Sequence, residues 1–289
     1  MKNRFERFHP LVSFLFYTGS ISLLILMLHP IFLCIAMVII FLINVIHDHL
    51  SGLRRWLFFI LSTFLFMLIM NPFFNERGRH LLFVLNEHRV TVEAVVYGGM
   101  NALSIIGVIG LFVSFNIVMT PNKLLFLFAK ILPQFAVLLM LTLRFIPLMR
   151  RRLEEISLIQ KSKGISVSHG KWGTRVRTGM LYVQTLLTYS LEEAIQTADS
   201  MKARGYGKGM RTSYEYFKFR KSDAVATLFL LGLFSFIIVG RLSGFGFLTI
   251  YPIMEQWQIS KMDLELLICY FLFLSFPLLV EAGGTFRWR

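Results

Sequence analysis

Six long apolar stretches without a lysine, arginine, aspartate or glutamate constrain the fold of this chain more than any other feature. The hydrocarbon core of a bilayer is about 30 Å thick, and a helix of roughly 20 apolar residues spans it. With 56% hydrophobic and only 16% charged residues, an ordinary soluble domain is excluded. We therefore predict an all-α integral membrane protein with about six transmembrane helices, at residues 11–28, 31–46, 56–70, 94–120, 224–240 and 266–280.

The first two apolar stretches are separated only by His29-Pro30. A single helix through both would be about 54 Å long at a rise of 1.5 Å per residue, which exceeds the thickness of the bilayer core. Proline cannot donate the backbone hydrogen bond of a helix interior, so two short spans joined by a tight turn are predicted. The first span is expected to be retained rather than cleaved as a signal peptide, because no small-residue cleavage site follows it.

Polar segments separate the next spans. A polar turn is predicted at 47–55 and a mixed loop at 75–93, and Asn71-Pro72 is expected to close the third helix. His47-Asp48-His49 has side chains that can ligate a metal, but solvated turn residues are the simpler interpretation, so no metal site is predicted. The fourth span is rich in Gly, Ala and Ser, which let helices approach closely in lipid.

The charged residues are concentrated in one basic block in the middle of the chain. The block divides the chain into three predicted regions: 1–120 with four transmembrane helices, 121–221 with cytoplasmic amphipathic helices, and 222–289 with two transmembrane helices. The formal net charge of the chain is +14. Lysine and arginine are retained on the cytoplasmic side during membrane insertion, which explains this excess without nucleic acid as a partner.

Loop charges also predict the orientation of the chain. A cytoplasmic N-terminus places Arg54, Arg55 and the whole basic block in the cytoplasm, together with Arg287 and Arg289 near the C-terminus. The chain is therefore predicted to be a multi-pass protein of the cell membrane with both termini cytoplasmic.

The basic block begins with a predicted short helix. Thr120 is a suitable N-cap and Pro121 a suitable first helical residue, and Pro133 is expected to end this helix. The apolar segment that follows contains Arg144 and Pro147. It either dips into the membrane or forms the apolar root of a long helix, so the number of spans is predicted as six to eight.

Two amphipathic helices are predicted in the rest of the block, separated by a polar, glycine-containing connection at 167–177. In the first helix, Arg150 is expected to pair with Glu154, and Arg151 with Glu155, at i,i+4 spacing. Helical periodicity predicts an apolar face on each helix: Met149, Leu153, Ile156 and Ile159 on the first, and Leu191, Ala194, Ile195, Ala198 and Met201 on the second.

Each of these helices ends in a small residue, a cation and a glycine: Ser162-Lys163-Gly164 and Ala203-Arg204-Gly205. Taken alone, each ending has an ordinary explanation, since cations complement the helix dipole and glycine is common just after a helix. Two such endings in one intracellular block also suit docking to a partner. A projecting arginine can form two parallel bonds with a carboxylate, and the following glycine lets the backbone turn away.

With these motifs the block resembles the T component of energy-coupling factor transporters, the EcfT/CbiQ family of membrane scaffolds in vitamin and metal-ion uptake. The resemblance covers residues 100–210. It is carried by Thr120-Pro121, Leu132-Pro133, Leu143-Arg144-Phe145-Ile146-Pro147, the Glu-rich helix that ends at Gly164, and Ala198-Asp199-Ser200-Met201-Lys202-Ala203-Arg204-Gly205-Tyr206. The first ending departs from the family's Ala-Arg-Gly motif, because Lys163 keeps the charge but lacks the planar guanidinium.

The resemblance implies a non-catalytic, energy-coupling scaffold of an ABC-type importer that needs no cofactor of its own. Its coupling helices would dock onto two ABC-type ATPase subunits and transmit ATP-driven motion to a small membrane S component, which binds a vitamin or transition metal. The implied ATPase-docking residues are Ser162, Lys163, Gly164, Ala203, Arg204 and Gly205. The implied packing residues of the coupling helices are Leu153, Ile156, Leu191, Ile195, Ala198 and Met201, and the implied structural residues are Pro121, Pro133, Arg144 and Pro147.

The sequence lacks the motifs of a self-contained enzyme. Gly205-Tyr206-Gly207-Lys208-Gly209 has neither the spacing nor the hydroxyl of a phosphate-binding loop, and no H-E-x-x-H motif or catalytic triad is recognisable. The alternative to a coupling subunit is a self-sufficient secondary transporter or channel. This alternative is disfavoured because the spans lack ionisable side chains at depth, and Arg144 is its only candidate intramembrane charge.

Overall fold

The computed structural model describes residues 5–285 except 49, 76–77, 79, 86–87, 130, 166–170, 210–216 and 249–259. A short 3-10 helix (Phe5–Arg7) comes first, and an antiparallel hairpin of β1 (Leu81–Leu85) and β2 (His88–Thr91) lies between α3 and α4. The helices in this described part of the chain are α1 Pro10–Leu26, α2 Pro30–Asp48, α3 Ser51–Phe74, α4 Val92–Val118, α5 Pro121–Ala129, α6 Pro133–Ser162, α7 Trp172–Ala203, α8 Lys221–Leu242, α9 Lys261–Leu274 and α10 Phe276–Thr285. The predicted all-α class is therefore confirmed.

Two compact units make up the chain. The first unit comprises Met1–Leu124 and Phe217–Arg289, and the second comprises Leu125–Tyr216. The first unit thus contains the beginning and the end of the sequence, and the second unit contains most of the basic block.

Five described helices are long and apolar enough to cross a membrane, namely α2, α3, α4, α6 and α8. The bent pair of α9 and α10 is a sixth candidate if it counts as one span, whereas α1 is apolar but has 17 residues. These numbers agree with the prediction of about six spans. The apolar segment before Pro147 belongs to the continuous helix α6. Since α6 is itself a candidate span, the location of this segment in or outside the membrane stays a prediction.

Hydrogen bonds and a ring contact fix which helix ends of the first unit lie together. The backbone N–H of Phe5 donates to Glu281 Oε1 (3.3 Å), and that of His9 donates to Asp223 Oδ1 (3.4 Å). The His47 ring, near the end of α2, stacks on Phe5 with 6.1 Å between centroids. The starts of α1 and α8 and the ends of α2 and α10 therefore lie at one face of this unit, which we call the N-terminal face.

The opposite face of the first unit joins the end of α1 to α8 and α9. Arg241 Nε donates to the carbonyl of Leu26 (2.9 Å), and the N–H of Gly246 donates to Asp263 Oδ1 (2.8 Å). His29 lies in the turn after α1, where burial lowers the pKa of its imidazole while the nearby Asp263 carboxylate opposes this shift. Helices α1, α2 and α8 therefore alternate in direction across the unit, as successive membrane spans do.

The core of the first unit depends on close helix approach. An added Cβ at Gly110 of α4 would lie 2.8 Å from Ile40 Cγ2 of α2, and one at Gly107 would lie 2.9 Å from Leu24 Cδ1 of α1. The helices therefore pack as the small residues of the fourth span predicted. Aromatic side chains fill the space around them, and Phe5, Phe16, Tyr17, Phe32, Tyr270 and Phe273 are almost completely buried.

A polar network lies inside this core near the N-terminal face. The hydroxyl groups of Tyr17 and Ser114 are 2.7 Å apart, and His47 Nδ1 is 2.8 Å from the same Ser114 Oγ. The prediction of His47 as a solvated turn residue is therefore wrong, because α2 extends to Asp48 and directs this ring at α4. His49 lies outside the described residues, and among those described no three His, Cys, Asp or Glu residues are grouped to hold a metal ion.

The third helix extends beyond its predicted limits at both ends. α3 begins at Ser51, so Arg54 and Arg55 are helical rather than part of a turn. Asn71-Pro72 does not close the helix, because the N–H of Asn75 still donates to the Asn71 carbonyl (3.0 Å) and completes a turn beyond the proline. The predicted mixed loop after α3 contains the β-hairpin, in which the apolar strand β1 pairs with the more polar strand β2 in antiparallel register.

The last apolar stretch forms two helices rather than one. α9 ends at Leu274, α10 starts at Phe276, and the two are bent by 56°. Pro277 explains the break, since it has no N–H to donate to the Phe273 carbonyl and its ring would clash there in a straight helix. The prediction of a continuous span at 266–280 therefore missed a bend that a proline within an apolar run indicates.

Candidate functional site

Helices α6 and α7 of the second unit run in opposite directions. Ser190 Oγ of α7 lies 2.9 Å from Met149 Sδ of α6, and the Tyr182 hydroxyl donates to the carbonyl of Ile165, just past the end of α6 (3.1 Å). Going from Met149 to Ile165 along the chain, the partner in α7 moves backwards from Ser190 to Tyr182. This order requires an antiparallel pair.

The two predicted endings lie far apart as a result. The end of α6 lies beside Tyr182, whereas α7 continues from Tyr182 to Arg204 for about 33 Å at a rise of 1.5 Å per residue. The two cationic endings are therefore too far apart to share one binding pocket. They present two separate surfaces at the two ends of the α6–α7 pair.

Both endings have the same backbone conformation. Lys163 is the C-cap residue of α6 (φ −85°, ψ 7°), and Arg204 is that of α7 (φ −80°, ψ 6°). The glycines that follow, Gly164 and Gly205, have φ of +77° and +80°. Residues with a Cβ rarely adopt this left-handed region, so glycine is required at these two positions.

Each ending is a Schellman motif, in which the residues after the helix cap its last carbonyl groups. In α6, the N–H of Ile165 donates to the Gln160 carbonyl (2.9 Å) and that of Gly164 donates to the Lys161 carbonyl (3.0 Å). The equivalent bonds in α7, both 3.0 Å, join Tyr206 to Met201 and Gly205 to Lys202. We call residues 160–165 tip 1 and residues 201–206 tip 2.

The cations of the two tips are not used for capping. The side chains of Lys163 and Arg204 are exposed, and neither makes a hydrogen bond or ion pair with a described residue. Capping therefore accounts for the glycines but not for the charged side chains. Their N–H donors remain available to a carboxylate of another protein.

The structure adds two residue positions to each tip that the sequence comparison missed. The matching capping bonds put Lys161 and Lys202 at equivalent positions, and likewise Ile165 and Tyr206. Ile165 is 39% exposed and Tyr206 is 46% exposed. Each tip thus presents two cations and one exposed apolar side chain.

The comparison with known proteins decides the family. The model of the CbiQ family, described as cobalt transport protein, matches residues 2–214 and so spans well over half of the chain. The chain belongs to the CbiQ family.

Three curated relatives of this CbiQ-family chain carry the same name. The energy-coupling factor transporter transmembrane protein EcfT of Staphylococcus aureus (strain 04-02981) is 27% identical over 209 residues, which are 68% of this chain and 75% of that protein. EcfT of Listeria innocua serovar 6a is 28% identical over 186 residues, 60% of this chain and 68% of that protein. EcfT of Leuconostoc gelidum subsp. gasicomitatum is 27% identical over 204 residues, 65% of this chain and 72% of that protein.

The predicted packing residues of this CbiQ-family chain are only partly covered within the chain itself. Ile156 is 6% exposed, and Met201 is half-buried. By contrast, Leu191 is 66% exposed, Ile195 is 63% exposed, and Leu153 and Ala198 are exposed too. The second helix therefore has an apolar face that the described part of its own chain leaves open.

The four predicted structural residues lie at defined places on α5 and α6. Pro121 and Pro133 occupy the first positions of these two helices, where a missing N–H costs nothing. Pro147 lies inside α6, so the carbonyl one turn earlier lacks its helical donor. The side chain of Arg144 is exposed on α6. Their roles in this CbiQ-family chain beyond these positions stay predictions.

The charged part of α6 differs in one pair from the prediction. Arg150 Nε is 3.5 Å from Glu154 Oε1, as expected at i,i+4 spacing. Glu155 pairs with Arg152 at i,i+3 (3.1 Å) rather than with Arg151, since both spacings bring side chains together on a helix. α7 also begins earlier than expected, at Trp172. Residues 172–177 of the predicted polar connection are therefore helical.

Proposed function

We propose that this chain is the energy-coupling scaffold of an ECF-type ABC importer. Its two tips dock onto two ABC-type ATPase subunits, and the α6–α7 pair carries their ATP-driven motion to a small membrane S component that binds a vitamin or transition metal. The chain itself catalyses no reaction in this proposal, and ATP hydrolysis belongs to the partner subunits. The observation that carries the proposal is the pair of identically built tips at opposite ends of one helix pair.

The geometry of the tips supports a docking role in three ways. The Schellman motifs hold the backbone rigidly, so Lys163 and Arg204 project from preformed ends. Each tip joins its free cation to an exposed apolar residue, and such a combination suits a groove with an acidic residue beside an apolar pocket. The distance of about 33 Å along α7 suits two separate subunits rather than one.

The exposed apolar face of α7 supports a membrane partner. Leu191 and Ile195 lie one turn apart on this helix and are largely exposed. Covering an exposed apolar face of this kind is favourable at about 25 cal/mol per Å². We assign this face to the S component, so that movement of the tips is transmitted directly to the surface that contacts it.

We place the N-terminal face of the first unit in the cytoplasm. Arg7, Arg54 and Arg55 belong to helix ends at or near this face, and cations are retained on the cytoplasmic side of a membrane. The chain is then a multi-pass protein of the cell membrane with both termini cytoplasmic. The alternative function, a self-sufficient secondary transporter or channel, gains no support from Arg144, because its side chain is exposed rather than part of a described polar pathway.

Co-purification of the complex tests the docking role. Arg204→Glu reverses the charge of tip 2 without altering Gly205, so the helix end remains intact. We expect the variant to reach the membrane normally and to recover the ATPase subunits at least about tenfold less well, because a broken, buried charge pair costs roughly 2–5 kcal/mol. Quantified recovery of ATPase subunits with the tagged chain measures this effect.

Lys208→Glu is the matched control, because it makes the same charge reversal four residues later on an exposed side chain outside tip 2. Full ATPase recovery with this control and loss with Arg204→Glu support docking by the tip. Equal recovery with both variants would contradict the proposal. Substrate uptake by the purified chain alone in liposomes, driven only by an ion gradient, would favour the transporter alternative.

A further inference from the structure

A cleft of about 570 Å³ opens between the start of α3 and the end of α4 in the first unit. Its walls include Ser51, Arg55 and Phe59 from α3 and Ile109 and Asn116 from α4. Small-molecule sites in proteins commonly have volumes of roughly 300–1,000 Å³. The cleft is therefore large enough for part of a lipid or another small ligand, and it belongs to none of the surfaces assigned to the ATPases.

Polarity changes along the cleft in the direction of the axes of α3 and α4. Ser51 and Asn116 lie within one turn of the ends of their helices. Phe59 lies about 12 Å from Ser51 along α3, and Ile109 lies about 10 Å from Asn116 along α4, at a rise of 1.5 Å per residue. Since α3 and α4 are both candidate membrane spans, the mouth of the cleft lies at the interface and its floor lies in the hydrocarbon region.

Arg55 lies between these two zones, and no described residue of the protein is its partner. Its side chain is exposed and makes no ion pair or hydrogen bond with a described residue. A guanidinium one turn inside a membrane helix requires an anionic partner or must extend to the interface. The adjacent Trp56, which also lines the cleft, is a residue type enriched at the membrane interface.

We propose that this cleft binds an anionic phospholipid. The lipid phosphate is held by the Arg55 guanidinium at the mouth, and one acyl chain lies along the apolar wall formed by Phe59, Ile109 and Phe112. Arginine suits this role because its planar fork forms two bonds with phosphate oxygens. The apolar depth of the cleft selects a lipid rather than a free phosphate ion, because a small anion gains nothing from that wall.

Native mass spectrometry of the full-length chain in detergent tests this site. The delipidated protein is titrated with phosphatidylglycerol, with phosphatidylcholine of the same acyl chains, and with glycerol 1-phosphate as a soluble headgroup. We expect phosphatidylglycerol to be retained at least about tenfold better than either of the others, as expected for a charge-assisted contact combined with apolar burial. Equal retention of phosphatidylcholine, or binding of glycerol 1-phosphate at the same concentration, would overturn the proposal.

Two variants locate the bound lipid. Arg55→Gln removes the charge at the mouth, and Arg54→Gln is its matched control, because Arg54 is the neighbouring exposed arginine and does not line the cleft. We expect retention of phosphatidylglycerol to fall about tenfold in Arg55→Gln and to stay unchanged in Arg54→Gln. Equal losses in both variants would indicate a general surface charge effect and would refute the site.

A third variant probes the apolar wall. Phe112→Ala shortens a side chain that is 48% exposed and is not part of the buried core, so the fold is expected to persist. Lower retention of long-chain phosphatidylglycerol with this variant supports the acyl-chain path, and unchanged retention argues against it. ATPase co-purification provides an independent measurement, because none of these residues belongs to the tips.

Discussion

At the scale of single residues, the glycines of the tips show why two similar motifs can have both a structural and a functional role. Gly164 and Gly205 have positive φ, and nothing lies within 4 Å of a Cβ added at either position. Their requirement therefore comes from the backbone alone and not from a neighbouring atom. The cations before them are under no such backbone constraint, so in the proposed docking role their type is set by what they contact on the ATPases.

Gly205→Ala is expected to destabilise the end of α7 by about 1 kcal/mol, because alanine disfavours the left-handed conformation. The same substitution at Gly179, inside α7 and also in open space, is expected to stabilise the helix by about 0.5–1 kcal/mol. Thermal unfolding of the two variants in detergent measures these opposite signs. A gain in melting temperature for Gly205→Ala would show that tip 2 does not keep the conformation described.

The difference between the two tips also belongs to the residue scale. Lys163 and Arg204 occupy the same position of the same motif, but only arginine can form two parallel bonds with a carboxylate. Tip 1 is therefore limited to a point-charge contact. The exposed Ile165 beside it in turn offers a purely apolar contact, whereas Tyr206 of tip 2 adds a hydroxyl.

At the scale of elements, helix packing in the first unit depends on positions where a side chain is absent. α4 contacts α1 and α2 through Gly107 and Gly110, and Asn44 Nδ2 donates to the carbonyl of Gly110 (3.1 Å). Van der Waals contact and such interhelical hydrogen bonds replace the hydrophobic effect as the driving force between helices in lipid. At Gly110, the close approach of α2 and α4 is thus combined with an interhelical hydrogen bond.

Gly110→Ala is expected to destabilise the first unit by about 1–3 kcal/mol, a usual cost of overpacking. The added Cβ would lie 2.8 Å from Ile40 Cγ2, and this β-branched side chain has few other rotamers in a helix. Gly99→Ala in the same helix is the control, because nothing lies within 4 Å of its added Cβ. Thermal unfolding should separate the two variants, and equal stability would mean that α2 and α4 are not this close.

At the scale of the whole molecule, the orientation in the membrane connects the proposed functions of the two units. The tips can reach soluble ATPases only if residues 150–205 lie in the cytoplasm. The proposed cytoplasmic location of the N-terminal face of the first unit rests separately on Arg54 and Arg55, because cations are retained on that side of a membrane.

Labelling of single cysteines in intact cells tests this orientation. In a background that lacks Cys34 and Cys269, we expect Lys261→Cys to react with a membrane-impermeant maleimide from outside. Lys171→Cys, at the exposed N-cap of α7, should react only after the cells are opened. The cysteine-free chain gives the background signal, and reaction of Lys171→Cys in intact cells would refute a cytoplasmic location of the tips.

Much of the architecture could be predicted from the sequence, because the helices, their breaks and their ends depend on residues that are close together in the chain. Apolar runs without charge predicted the spans, His29-Pro30 predicted the division between α1 and α2, and Gly164 and Gly205 predicted the two helix ends. Each of these follows from the cost of a charge in lipid, the missing N–H of proline or the conformational freedom of glycine. Errors occurred where two local signals compete, as at Asn71-Pro72 and Pro277.

Contacts between residues distant in sequence were decided by the tertiary structure alone. The hydrogen bond from Tyr182 of α7 to Ile165, just past α6, places the tips about 33 Å apart along α7, and the periodicity of neither helix predicts this distance. The same is true of the cleft that receives Arg55 and of the Ser114 hydroxyl shared by Tyr17 and His47. The sequence by itself determined which segments are helical, apolar and capped, because these properties depend on neighbouring residues. Only packing determined which of their side chains meet and which remain free for a partner.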